Sequence, residues 1–220
     1  MSVIRKHITT IILLVAFVAS GVYAFRYHDM NQKIDYSKHL EDVAVVVNDS
    51  SLTLRDLAFY VAYEEMQVEK QAVVYNPKNP NKYWNVHTNG EFIRITARKN
   101  AMSMAVHDEI FYAMAKENGI TLNDDESKSL ENSQLDFWSD LSDYDGASKL
   151  GVTQQDIYAA MEKAALAQKY QAIYAQLDNA GTTDYDFTGG RYKKLLEDNK
   201  YEIKEKVWNR VGMGNVILDH

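Results

Sequence analysis

Only two prolines, Pro77 and Pro80, occur in 220 residues, and both lie in one short stretch. Proline breaks a helix by removing an amide donor and clashing with the preceding turn. A chain that confines proline to one place can run long helices on either side, so the expected fold is mainly α. Cysteine is absent, which excludes disulfide staples, thiol nucleophiles and thiolate metal sites. Such a chain must be held by its core. A hydrophobic content of 46 % with 11 % aromatic residues is enough for one, and excludes a mainly disordered protein. Fifteen tyrosines against seven phenylalanines predict many rings that are apolar on one side and wet on the other. The net charge of −7 and the lack of a basic stripe give no electrostatic reason to bind nucleic acid.

Residues 8–25 form a nearly unbroken apolar run behind Arg5 and Lys6. About 18 such residues reach the short end of what crosses a hydrocarbon core of roughly 30 Å. Basic residues before the run stay in the cytoplasm, so the body is expected outside it. Two readings stay open. One is an uncleaved single-pass anchor in the cell membrane. The other is a signal peptide cleaved near Ala24, with Val22-Tyr23-Ala24 as the site, which leaves a secreted body. No cysteine follows the run, so no lipid-modified start is expected. The expected organisation is 1–26 as cytoplasmic start and anchor or signal, 27–41 as a polar stalk, and 42–219 as one helical domain.

Residues 43–47, Val-Ala-Val-Val-Val, read as a strand buried on both faces and ended by Asn48-Asp49. Thr53 with Asp56 is a helix start, and Leu54, Leu57, Ala58, Val61 and Ala62 continue at helical spacing until about Val74. Residues 75–90 hold both prolines and read as a long loop. A second helix is expected from Glu91 to Asn118, with Gly119 as its left-handed exit. Another begins in the acidic stretch 121–126, and Thr153 with Asp156 begins a fourth that runs to Leu177. Residues 142–147 are expected as a loop and 179–190 as a linker. Short helices are expected near 191–199 and 203–210. Residues 215–218, Asn-Val-Ile-Leu, read as a final strand.

The order of these pieces resembles the amino-terminal chaperone domain of the SurA/PrsA foldase family. The likeness rests on Val43-Ala44-Val45-Val46-Val47-Asn48 followed by Leu52-Thr53-Leu54-Arg55-Asp56-Leu57. It rests also on residues 108–126, on Leu150-Gly151-Val152-Thr153-Gln154-Gln155-Asp156 with Tyr170, and on the tail pieces 207–210 and 215–218. It covers about residues 42–178 and 204–219. It implies a helical bundle in which a two-stranded sheet pairs 43–47 with 215–218, joining both ends of the domain. Active members insert a parvulin isomerase domain where this chain has only 179–203, so prolyl isomerase activity is not implied. The excursion at 75–90 also departs from the family.

Catalytic chemistry finds little support in the residues, and neither a cofactor nor a metal is expected. His107-Asp108-Glu109 lacks the spacing that puts two imidazoles on one helix face, and reads as a surface histidine beside acids. Asp140, Asp143, Asp145 and Gly146 suggest a calcium loop, but that alignment puts Leu141 and Val152 where oxygen ligands are required. Gly189-Gly190 follows no strand and has no phosphate-loop lysine. Methionines 66, 102, 104, 114 and 161 lie among ring residues on the long helices, a composition suited to accepting varied apolar segments. The candidate binding residues are Tyr60, Tyr63, Met66, Tyr75, Tyr83, Trp84, Phe92, Met102 and Phe111, with Tyr75, Tyr83 and Trp84 as a contact patch on the proline loop. Most methionines and rings of this set are also what an ordinary core needs. The resemblance implies a chaperone for unfolded or nascent exported polypeptides. The alternative is a dedicated interaction subunit of one envelope assembly, for which deletion of 75–90 would abolish partner binding.

Overall fold

Three helix starts are built as capping boxes, and they set the frame of the fold. In the computed structural model, which describes Ser20 and residues 32–218, the Thr53 hydroxyl accepts from the Asp56 amide and the Asp56 carboxylate takes the Thr53 amide at 2.7 Å. Thr153 with Asp156 repeats the arrangement, and Asn123 with Glu126 makes the third. Eight helices follow among the described residues: α1 (Leu54–Tyr75), α2 (Asn81–Trp84), α3 (Ile93–Glu117), α4 (Asp124–Asp143), α5 (Gly146–Leu150), α6 (Gln154–Leu177), α7 (Gly190–Glu197) and α8 (Glu205–Trp208). The strands are β1 (Val43–Val47), β2 (Ser50–Thr53), β3 (His87–Thr88), β4 (Glu91–Phe92) and β5 (Tyr201–Ile203). The protein is therefore mainly helical with small antiparallel sheets. The run at 8–25 lies outside the described residues except for Ser20. No helix among the described residues is long and apolar enough to cross a membrane.

α3 packs most extensively on α6 and next on α1, so these three long helices form the centre of the body. Leu54, Leu57, Ala58, Val61 and Ala62 of α1 are fully buried at the spacing read from the sequence. Each such leucine contributes about 1.5–3 kcal/mol relative to exposure. α3 ends where Gly119 takes φ +64°, the left-handed exit expected there.

The sheet differs from expectation. β1 is the middle strand of three, in the order β2-β1-β5, with Val45 opposite Ile203 and Val47 opposite Tyr201. Residues 215–218 are not a strand. Their amides are turned instead onto a buried carboxylate: Glu65 Oε1 accepts from Gly214, Asn215 and Val216 at 2.5, 3.2 and 3.1 Å, and Oε2 accepts from Ile217 at 2.8 Å. Amides committed to one side chain cannot form a ladder. The sheet still joins the early and late parts of the domain, but through Tyr201–Ile203.

Three segments read as connections belong to the core. Within the expected stalk, Tyr36 and Leu40 are buried, and the Tyr36 hydroxyl donates to the Leu54 carbonyl at 2.5 Å. The proline excursion contains α2 and β3, which pairs in a hairpin with β4 where the next helix was expected to start, across a turn, Asn89-Gly90, with φ of 51° and 90°. Trp84 is fully buried, with Gly214 seated on its ring. The expected linker 179–190 carries a 3₁₀ turn, Thr182–Tyr185, that buries Tyr185. The expected loop at 142–147 is shorter than read, because α4 runs on to Asp143 and α5 begins at Gly146.

Candidate functional site

Where α1, α3 and α6 diverge, the surface sinks into a cleft of about 330 Å³. Phe59, Tyr60 and Tyr63 come from α1, Met104, His107 and Asp108 from α3, and Ala164, Gln168 and Gln171 from α6. Residues 186–188 close the fourth side. A more open depression of about 530 Å³ continues along α6 toward α4, walled by Leu122, Leu130 and Met161. Phe59, Ala164 and Gln168 line both, so the two form one groove. Alanines at 164 and 165 explain its depth, because a helix face without bulk leaves room between neighbouring helices. Phe59 stands edge-on to Tyr60 and to Phe137, each at 5.1 Å between ring centres, which holds it in place.

A polar chain lies beneath the cleft. The Tyr60 hydroxyl donates to Asp108 Oδ2 at 3.0 Å, and His107 Nδ1 meets Asp108 Oδ1 at 2.8 Å. His107 Nε2 meets the Tyr185 carbonyl at 2.9 Å. A carbonyl can only accept, so Nε2 carries a hydrogen there. Burial, then the Asp108 charge, push the Tyr60 phenol well above its ordinary value, so it remains a donor. The chain ties α1, α3 and the Thr182–Tyr185 turn together, and both imidazole nitrogens are taken by protein groups. His107 is thus buried rather than on a helix surface as the sequence suggested. Gln171 pins the same turn region, donating to the Thr182 carbonyl at 3.0 Å and to Asp186 Oδ1 at 2.8 Å.

One charged pair edges the groove and a second lies outside its lining. Lys169 binds Glu126 at 2.6 Å, joining α6 to the start of α4. Lys163 binds Glu109 at 2.6 Å and lies 5.3 Å from the Tyr112 ring centre. Among the described residues, no three His, Asp or Glu side chains are grouped to hold a metal ion.

The chain matched no protein-family model, no curated protein and no solved structure. Its function must be argued from geometry.

The residues singled out from the sequence divide into two sets. Met66, Trp84, Met102 and Phe111 are buried in the core and none of them lines this groove. Tyr60 is also buried, although it lines the cleft from below. Tyr63 sits on the rim and is exposed, Tyr75 and Phe92 are exposed, and Tyr83 is half-buried. The Tyr83 ring lies tilted against Tyr75, 5.2 Å between ring centres, and its hydroxyl donates to Gln71 at 3.0 Å. The expected patch therefore loses its tryptophan. Phe59 and Phe187 are groove residues that the sequence reading missed. Phe59 stands one helical turn before Tyr63, a spacing that places both on one face.

Proposed function

We propose that this protein is a membrane-tethered, extracytoplasmic holding protein that binds apolar segments of unfolded or nascent exported polypeptides without covalent chemistry. The observation that carries the reading is the continuous groove along α6, whose Phe59, Met104, Met161, Leu122 and Leu130 present adaptable apolar surface. Its length and openness suit an extended segment, and methionine can repack around varied side chains. The resemblance of residues 42–178 to the SurA/PrsA chaperone domain supports the same reading, as does the exit-side position that an anchor at 8–25 gives. Gln168 is exposed and lines both halves of the groove, so Gln168→Trp plugs it with little cost to folding. With the full chain in lipid nanodiscs, aggregation of chemically reduced lysozyme should be suppressed by the wild type and not by Q168W at equal thermal stability. Equal suppression by both, or none by the wild type, overturns the reading.

A dedicated interaction subunit is the second reading, favoured by the apolar end of α1. Val74 is 82 % and Tyr75 60 % exposed there. Deleting 75–90 no longer separates the two readings, because it removes the buried Trp84. Val74→Asp does so instead: loss of one membrane protein in a pull-down, with lysozyme protection intact, supports the dedicated subunit.

A further inference from the structure

The strand order β2-β1-β5 makes β5 an outer strand, with β1 on one side and no neighbour on the other among the described residues. The ladder to β1 fixes which backbone groups face that open side. The Asn48 amide donates to the Lys200 carbonyl at 2.7 Å, and the Lys204 amide to the Ala44 carbonyl at 2.8 Å. Backbone groups in an antiparallel pair point alternately toward the partner and away from it. Residues 200, 202 and 204 therefore turn inward. Tyr201 and Ile203 turn their amides and carbonyls outward, and among the described residues no hydrogen bond reaches any of the four.

Water satisfies an ordinary edge of this kind. This one is set apart by the hollow beside it. A cavity of about 340 Å³ opens where α3 faces α7, β5 and α8, and Tyr201 and Ile203 both line it. Residues two apart on a strand share a face, and so do residues directly opposite across a pair. Val47 and Val45, opposite Tyr201 and Ile203, are buried on that face, whereas Tyr201 is 46 % exposed. The sheet thus has a covered half and an open half. Met102, Val106, Leu196 and Trp208 make the cavity apolar, and one charged group interrupts them. Arg98 is half-buried and donates to the Asn209 carbonyl at 2.7 Å, with no carboxylate within ion-pair distance among the described residues. Its neighbour Lys99 is held by Glu91, and Lys204 by Glu202. A guanidinium with donors to spare is a fork shaped for a carboxylate.

We propose that β5 takes up an extended segment of another polypeptide as a fourth strand, with alternate apolar side chains lowered into the cavity and an acidic side chain on Arg98. The outward amides and carbonyls of Tyr201 and Ile203 bind any backbone, and the cavity and Arg98 choose among side chains. The site goes beyond the groove of the proposed function, and only Phe187 lines both.

The probe is a capped seven-residue peptide with glutamate, phenylalanine, leucine and glutamate at alternate positions and threonine between them, titrated calorimetrically into the full chain in nanodiscs. It should saturate one site. Two further versions carry N-methyl groups, one on the phenylalanine and leucine nitrogens and one on the threonines that precede them. An added strand turns one set toward β5 and the other to solvent, so the versions should differ by about tenfold or more. Loss in the first marks antiparallel addition and loss in the second parallel addition; either supports the site. Glutamine in place of both glutamates should weaken binding several-fold. Tyr201→Pro removes an outward donor and spares the bonds to β1, so it should weaken binding about tenfold. Hydrogen exchange of the free chain should be faster at the Tyr201 and Ile203 amides than at Glu202, and peptide should slow both. No saturable binding, equal affinity of the two methylated versions, equal binding of the glutamine peptide, wild-type affinity in Y201P or exchange at 201 and 203 that ignores peptide overturns the proposal. Loss of binding in Gln168→Trp places the peptide in the groove, and dimerisation that protects the same amides gives the edge to a second copy; each overturns it too. The methylated pair needs no variant, so it decides even if Y201P does not fold.

Discussion

Replacing Glu65 by glutamine removes one oxygen and leaves the shape almost unchanged. Glu65 is 0 % exposed and receives four amides from the last turn of the chain. Burial pushes its carboxyl upward against the downward pull of those four amides. In Glu65→Gln the amide oxygen keeps the contacts to Gly214, Asn215 and Val216 but without charge. The amide nitrogen then faces the Ile217 N–H across what was a 2.8 Å bond, donor against donor. An unsatisfied buried donor costs about 1–3 kcal/mol, and exchanging charged for neutral acceptors costs about 1 kcal/mol more for each bond. The expected loss is therefore about 4–6 kcal/mol. For a body of this size each kcal/mol lowers the midpoint by about 2–4 °C, so melting should fall by roughly 10 °C or more. Thermal and urea melts followed by circular dichroism measure the total, and hydrogen exchange locates it. Amides 214–217 should exchange faster in E65Q before any other part opens. A loss below about 1 kcal/mol with unchanged protection at 214–217 would refute the view that this carboxylate organises the tail.

Other perturbations read different parts of the fold. Gly214→Ala puts a Cβ 2.6 Å from the Trp84 ring at a φ of +85°, and should cost about 2–5 kcal/mol in urea denaturation; a change within about 0.5 kcal/mol contradicts the seating of Gly214 on that ring. Tyr60→Phe removes a bond to the Asp108 carboxylate and should cost about 1.5–3 kcal/mol, with no loss if Asp108 is satisfied without it. Two capping carboxylates set an acid limb. Burial pushes Asp156 up, yet the Thr153 amide and hydroxyl with Arg55 outweigh it and hold it below its ordinary 3.8; Lys169 first and Asn123 second hold Glu126 below 4.5. Groups lowered on folding stabilise fully above those ordinary values, and that stability is lost as pH falls through the lowered folded values. Stability measured from pH 6 to pH 2 should therefore fall less steeply in Asp156→Asn, and an unchanged slope removes Asp156 from the limb.

Local signals foretold the helices because local interactions make them. Thr53, Thr153 and Gly119 sit within a few residues of the groups they satisfy, so their roles show in a short window. Asn89-Gly90 was just as local, and the hairpin it forms could have been read from that pair. Residues 215–218 have the composition of a strand. What keeps them out of the sheet is Glu65, some 150 residues earlier in the chain, and no pattern around either segment reveals the other. The candidate site fared similarly. Helical spacing shows that Met102 and Phe111 want burial, but not what covers them, and nothing in the proline stretch shows that the tail covers Trp84. Phe59 and Tyr63 stay accessible only because alanines fill the facing stretch of α6.

The position of β1 has a consequence in time. Its hairpin partner β2 follows at once, but the Asn48–Asn199 contact that begins the β5 edge spans 151 residues. At about 5–20 residues per second, a ribosome needs roughly 10–30 s to supply that stretch. Throughout that interval one side of a strand of four valines and an alanine has no neighbour, and such an edge is a template for any other extended chain. Newly made copies crowded together during synthesis therefore risk joining through β1. Once Tyr201–Ile203 docks, that opportunity closes for good.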